Sequence, residues 1–155
     1  IVGGDEYLFS RNIPIGGNNY TENIAAMLSI EAQEAEKLKI ESNKEAKTAQ
    51  VELDNAITEI NSQLIDDIKS SVDFYISSGD LPYEFEGITG IIVCGGGCQV
   101  KGFKNELSRQ LRKEVIESSP FQKYKISRDL FTKKNLRESF FAVASGLSMR
   151  VVDTG

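Results

Sequence analysis

The run Ile91-Ile92-Val93-Cys94-Gly95-Gly96-Gly97-Cys98-Gln99-Val100-Lys101-Gly102-Phe103 decides how the rest of the chain is read. Apolar β-branched residues lead straight into three consecutive glycines, and a helical pattern resumes near Phe103. That is the pattern of a buried strand, a bare-backbone turn and a helix. Three glycines weaken any strand or helix that contains them, because glycine loses the most conformational freedom on folding. They make sense where φ must be positive, or where another backbone or a flat ligand must come close. The reading taken from these residues is the floor of a nucleotide site, with most of the remaining chain as its scaffold.

Working back from the strand, Ser78-Gly79-Asp80-Leu81-Pro82 stops a helix with a glycine and a following proline, and Tyr83 to Gly90 is a loop. Between Asn18 and Ser78 there is neither glycine nor proline, which argues for helix. The longest piece is expected from about Glu45 to Ser77. There Leu53, Ile57, Ile60, Leu64, Ile68, Val72 and Tyr75 recur at steps of three and four and form one apolar stripe. The excess of four-residue steps drifts from a heptad and predicts packing on a sheet rather than a coiled-coil seam.

A shorter helix is predicted from about Glu31 to Ser42, with Ser29 as its cap and Ala32, Ala35, Leu38 and Lys39 on or beside one face. Glu36 and Lys39 are neighbours on its surface, either as a solvated ion pair or as a pair that faces a ligand. The first helix takes Asn19 or Thr21 as cap and Ile24, Met27 and Leu28 as its apolar side. Ahead of it, Ile1-Val2, a Gly3-Gly4-Asp5 turn and a second strand from Tyr7 to Ile13 read as a hairpin that Pro14-Ile15-Gly16-Gly17 breaks. Gly16-Gly17 is either a plain turn or a second place of close approach. The chain starts at Ile1 as if in mid-strand, without an initiator methionine, and is expected to be a piece of something larger.

Working forward, Phe103 to Leu111 is predicted as a short helix with Leu107 and Leu111 inward, and Val115-Ile116-Glu117 as a strand. Ser118-Ser119-Pro120-Phe121 is a loop, and Tyr124-Lys125-Ile126 is weakly strand-like. A closing helix is expected from about Leu136 to Val151, with Phe140, Phe141, Val143, Ala144, Leu147 and Val151 apolar. Ala142, Ala144, Ser145 and Gly146 make one side of it small, which predicts tight packing there.

Composition narrows the function. At 155 residues, with 40% hydrophobic and 26% charged residues, the chain suits one globular domain with a core. A net charge of −5 gives nucleic acid no basic face to bind. With no histidine, trypsin-like, papain-like and most zinc chemistries are excluded, and no metal site is predicted. Cys94 and Cys98 read as small semi-buried side chains in a reducing compartment, since two thiols make neither a disulfide framework nor a metal site. Neither a signal peptide nor an apolar run of membrane-spanning length appears.

Three glycine-rich designs hold nucleotides. A P-loop needs lysine and a hydroxyl directly after its second glycine, whereas Gly102 here is followed by Phe103-Lys104. A dinucleotide fingerprint needs its third glycine earlier than Gly102 falls after Gly97. The third design is the adenosine loop of actin-like ATPases, an apolar strand followed by Gly-Gly-Gly and a helix, and this one fits. In that setting the chain resembles the second domain of the type IV pilus assembly protein PilM family and, more distantly, the cell-division protein FtsA. Phe9-Ser10-Arg11-Asn12-Ile13-Pro14-Ile15-Gly16-Gly17, with Thr21 and Ile24-Ala25, is similar to the segment after the second phosphate hairpin of those proteins. Ser119-Pro120-Phe121 resembles an Asn-Pro-Phe, and Ala144-Ser145-Gly146-Leu147-Ser148-Met149-Arg150 resembles an Ala-x-Gly-Leu-Ala-x-Arg ending.

The resemblance implies an α/β fold: part of an actin-like (ribonuclease-H-like) ATPase, with a truncated mixed sheet and flanking helices including one long helix. Residues 1–155 would correspond to the second domain. Ala35-Glu36-x-Leu38-Lys39 resembles the helix that offers a glutamate and a lysine to ribose and adenine in this superfamily. Gly95, Gly96, Gly97, Cys98, Glu36 and Lys39 are thereby implied to contact the cofactor ATP, bound with Mg2+ in the intact parent. Neither phosphate hairpin is recognised; Gly3-Gly4-Asp5 is an ordinary outer turn. The chain by itself is therefore expected to be inactive in hydrolysis. A PilN-like inner-membrane partner would bind the other half, which places the protein in the cytoplasm, peripheral to the inner membrane. An open sheet edge makes homo-oligomerisation an expectation. Two other classes remain: an interaction module that works through the long acidic helix, and an FtsA-like polymer-forming protein.

Overall fold

The structure, a computed structural model, describes residues 1–4, 6–42, 50–79, 81, 87–122 and 137–149. Its frame is set by the long apolar stripe, which forms helix α3, Gln50–Ser77. The N-terminal half of that stripe meets two shorter helices, α1 (Gly17–Leu28) and α2 (Ala32–Glu41). Leu53, Ala56, Ile57 and Ile60 of α3 pack there with Tyr20, Ile24 and Ala35 in a first core. The C-terminal half turns Leu64, Ile65 and Ile68 onto a βαβ unit. That unit is β3 (Gly90–Val93), α4 (Phe103–Leu111) and β4 (Glu114–Glu117), and its strands are parallel with Ile91 beside Val115 and Val93 beside Glu117. Cys98, Phe103 and Leu107 complete a second core around Ile65, with Ile91, Val93 and Val115 against it. The expected packing of the long helix on a sheet therefore holds for its C-terminal half, while its N-terminal half packs on helices. Ile65 lies beside the predicted stripe and is fully buried, so the apolar face is wider than one seam.

Two strands, β1 (Val2–Gly3) and β2 (Glu6–Tyr7), form an antiparallel hairpin. The second strand ends at Tyr7, short of the predicted Ile13. Leu8 and Phe9 both donate their N–H to the Ile1 carbonyl, which closes the ladder, and the Ile1 ammonium bonds the Phe9 carbonyl at 2.7 Å. The Phe9 ring lies against Phe74 and Tyr75 at centroid distances of 5.9 and 5.6 Å, so the hairpin is pinned to the far end of α3.

Helix ends depart from prediction in instructive ways. Gly16 precedes α1, and Asn19 caps it in reverse: its Oδ1 accepts the Gly16 N–H at 2.8 Å. Thr21 caps nothing and is buried inside α1. Ser29 ends α1 rather than starting α2, because it takes the left-handed conformation at φ 53° while the Ile30 N–H returns to the Ala25 carbonyl. Met27, assigned to the apolar side, is 46% exposed.

The closing segment is the largest departure. It is a 3-10 turn, Glu138–Phe141, followed by a short helix α5, Ala142–Ser148. It buries Ser139 and Ser145 and leaves Phe140, Val143 and Leu147 exposed. The tight packing predicted for the small side is met at Ser145 alone, since Ala144 and Gly146 are exposed and a Cβ on Gly146 would meet nothing within 4 Å, and the large apolar residues Phe140, Val143 and Leu147 face outward. The weak strand at Tyr124-Lys125-Ile126, the start of the long helix before Gln50, the outer-turn residue Asp5 and the ends of the closing helix at Leu136 and Val151 lie outside the described residues.

The two cores meet at Asn61, which is 3% exposed. Its Oδ1 accepts from the Tyr20 hydroxyl at 2.9 Å, and its Nδ2 donates to the Lys101 carbonyl at 3.0 Å. Burial pushes the Tyr20 hydroxyl up to about 12, so it stays a donor. Asn61→Ala strands a buried donor and a buried acceptor, and is expected to cost about 2 kcal/mol. Urea unfolding should show a lower midpoint with an unchanged slope.

Candidate functional site

The glycine turn follows β3 at the carboxyl end of the parallel pair, the end where ligands settle in open α/β sheets. Gly95 has φ +82°, a conformation that favours glycine, and its N–H donates to the Ser139 carbonyl at 2.9 Å. Gly96 and Gly97 are different. Gly96 is right-handed helical at φ −69°, Gly97 opens a 3-10 turn that runs to Gln99, and an added Cβ on either would meet nothing within 4 Å. The fold itself does not require glycine at these two positions. They form a bare, open shelf of backbone.

Cys98 turns its side chain inward into the second core, where its thiol donates to the Gly95 carbonyl at 3.0 Å. Burial raises its pKa, which keeps it a neutral thiol. What Cys98 presents outward is therefore backbone, while Cys94 is exposed.

Glu36 and Lys39 do pair, and they do so against α1. The Lys39 ammonium donates to the Gly17 carbonyl, the Thr21 hydroxyl and Glu36 Oε2, which uses its three donors. Neither Gly16 nor Gly17 is a place of close approach: a Cβ on Gly16 would meet nothing within 4 Å, and one on Gly17 only the Lys39 nitrogen at 3.4 Å, an ordinary contact. Thr21 also donates to Glu36 Oε2. Both bonds to Glu36 fall on one oxygen, and its side chain is 44% exposed against 11% for Lys39. Glu36 Oε1 is thus the acceptor that points outward, and Lys39 and Thr21 hold it there. Thr21 is a member of this group that side-chain spacing alone did not reveal, since its partner lies 15 residues away.

The turn and the Glu36 group share one scaffold. Val100, at the exit of the turn, packs on the first core, to which Tyr20 and Ala35, the chain neighbours of Thr21 and Glu36, also belong. The Tyr20–Asn61–Lys101 bonds make the same link through polar groups.

Sequence reasoning missed Glu117, which ends β4 on the inward face. Its Oε1 accepts from Gln99 and Ser139, each at 2.6 Å, and its Oε2 from Lys104 at 2.8 Å, with Arg137 at 3.7 Å. Burial works to raise its pKa, and the hydrogen bonds from Lys104, Ser139 and Gln99 outweigh that and hold it below the usual carboxylate range. The available signal was strand alternation: two residues after inward Val115, a charge must find partners.

The described site is thus a parallel strand that ends in a glycine shelf, set beside a helical layer on one long helix. The family model for the type IV pilus assembly protein PilM matches residues 1–152, and the chain belongs to that family. Its fold is similar to a solved structure described as a PilM-PilN type IV pilus biogenesis complex, with a TM-score of 0.76 at 22% sequence identity. That likeness covers 96% of this chain and 40% of the other. No curated protein matches the chain. The expected actin-like α/β fold is thereby borne out. Among the described residues no helix is long and apolar enough to cross a membrane.

Two expected outcomes follow from this geometry. Gly95→Ala should cost about 1 kcal/mol through left-handed strain, whereas Gly96→Ala should be neutral or slightly stabilising in the same urea assay. Hydrogen bonds from Lys39 and Thr21 hold the Glu36 carboxyl below its ordinary range. A folded pKa lower than the unfolded one stabilises above about pH 4.3, and the contribution is lost as pH falls through the folded value. Lys39→Met should raise the Glu36 pKa, read by carboxyl-carbon NMR titration.

Proposed function

We propose that this chain supplies the adenosine side of an ATP site in a type IV pilus assembly component. One observation carries the reading: Gly96 and Gly97 are glycines where neither backbone conformation nor neighbouring atoms call for glycine. A flat ligand lying on the backbone supplies the missing reason. The purine would rest on the Gly95–Gly97 shelf, and Glu36 Oε1 would accept from ribose hydroxyls, with Lys39 and Thr21 fixing the carboxylate. The outward acceptor and the bare shelf suit an uncharged nucleoside face; neither offers positive charge to the phosphates, and the Glu36 carboxylate would repel them. Phosphates and Mg2+ would be held by other parts of a whole PilM-type protein. ATP, when bound, supplies a polyanion that can fix the relative position of the parts that grip it. The proposed role is accordingly a nucleotide-set binding conformation at the cytoplasmic face of the inner membrane, with a PilN-like protein as partner.

A second reading, an interaction module without nucleotide, is favoured by the fact that Lys39 bonds three acceptors within the fold. The two separate at Gly96. Titration with a fluorescent ATP analogue should saturate for the native chain and fail for Gly96→Asp, which puts a side chain and a negative charge on the shelf. Superimposable curves for the two proteins would contradict the nucleotide reading.

A further inference from the structure

We propose that Glu117 is the positioning residue of the glycine turn: its carboxylate locks the turn to the closing segment, so that residues 95–100 and 138–148 keep or lose their arrangement as one unit. The two oxygens divide the work. Oε1 takes Gln99 from the turn and Ser139 from the closing segment, while Oε2 takes Lys104 from α4 and lies 3.7 Å from Arg137. One side chain therefore touches the turn, α4 and the closing segment at this end of the sheet.

A second tie runs beside the first, since the Gly95 N–H donates to the Ser139 carbonyl at 2.9 Å. Ser139 is 1% exposed, so its hydroxyl has no water to replace Glu117. The closing segment is also held by the Phe141 ring against Phe121 at a centroid distance of 5.9 Å and by Ser119, which donates to Glu138. Its large apolar residues Phe140, Val143 and Leu147 are exposed, and what it buries is Ser139 and Ser145. Beside that ring contact the segment is tied by polar bonds, and Glu117 takes the one from the buried Ser139 hydroxyl. Hydrogen bonds to a charged acceptor are worth roughly twice a neutral one. Among the described residues the Cys98 thiol, which burial keeps neutral, also lies near the carboxylate, and Glu138 accepts from Ser119. The proposal deepens the nucleotide reading, because the locked element is the shelf itself, yet it makes a claim about the free protein.

The test is amide hydrogen exchange on the chain without nucleotide, so its outcome is independent of whether ATP binds. In Glu117→Ala, protection at Gly95, Gln99 and Val100 and at Phe140 and Met149 should fall together by about tenfold, the equivalent of one charged hydrogen bond. The amides of α3 should keep theirs. Ser139→Ala removes one donor and should lower the same amides by a smaller factor. In the double variant the loss should match Glu117→Ala alone, because both changes break one network. Loss at the turn with full protection at Phe140 and Met149 would overturn the proposal, as would additive losses in the double variant. If Glu117→Ala also loosens α3, Ser139→Ala decides: paired loss at Gly95 and Phe140 supports the lock, and no change at either refutes it.

Discussion

The hydrogen bonds of Asn61 tie together two cores that share one long helix, and the Lys101–Asp54 ion pair runs beside them. Above it on α3, leucine and isoleucine pack with α1 and α2; below it, Leu64, Ile65 and Ile68 pack with the βαβ unit. Apolar burial holds each cluster together but does not fix one against the other, because it lacks direction. A buried amide that must receive from Tyr20 and give to the Lys101 carbonyl has direction, and leaving either bond unmade is costly. The register of the helical layer against the exit of the glycine turn follows from that pair. The helix that carries Glu36 and the exit of the glycine turn are thereby attached to the same long helix.

Around the shelf the chain uses its residues in two distinct ways. Gly95 is glycine for the backbone's sake, since its φ of +82° lets the strand turn and its N–H reach Ser139. Gly96 and Gly97 answer to no such demand, since neither their conformation nor a neighbouring atom calls for glycine. A similar division separates Lys39, whose donors all stay inside the fold, from Glu36, which keeps one oxygen outward. The supporting groups are buried and bonded; the presenting groups are bare or half-exposed. That arrangement is how a site on a fixed scaffold stays in shape before any ligand arrives.

Much of this was legible from local pattern. Strand β3, the turn and α4 follow from apolar β-branched residues, three glycines and the Phe103–Leu107–Leu111 spacing, and the structure places α4 over the expected residues. The long stripe of α3 was equally plain, because periodic burial over many turns is the strongest signal a sequence carries. Ser29 was misread because capping serine and left-handed serine share the same residue type, and the choice rests on which helix end it adjoins. The closing segment was misread because hydrophobic periodicity predicts an inward face, whereas Glu117 and Ser139 hold it by polar bonds with the apolar face outward. Asn61 and Glu117 escaped notice for one reason: their partners lie 40 and 22 residues away, and only the fold brings them together.

The central claim is that the glycine shelf and the Glu36 group form one nucleoside surface in this PilM-family chain. An ATP titration followed by two-dimensional amide NMR addresses both halves at once. The account predicts that resonances of residues 95–99 and those of Thr21 and Glu36 move together and saturate at one common concentration. Movement at only one of the two groups, or at neither, would contradict it.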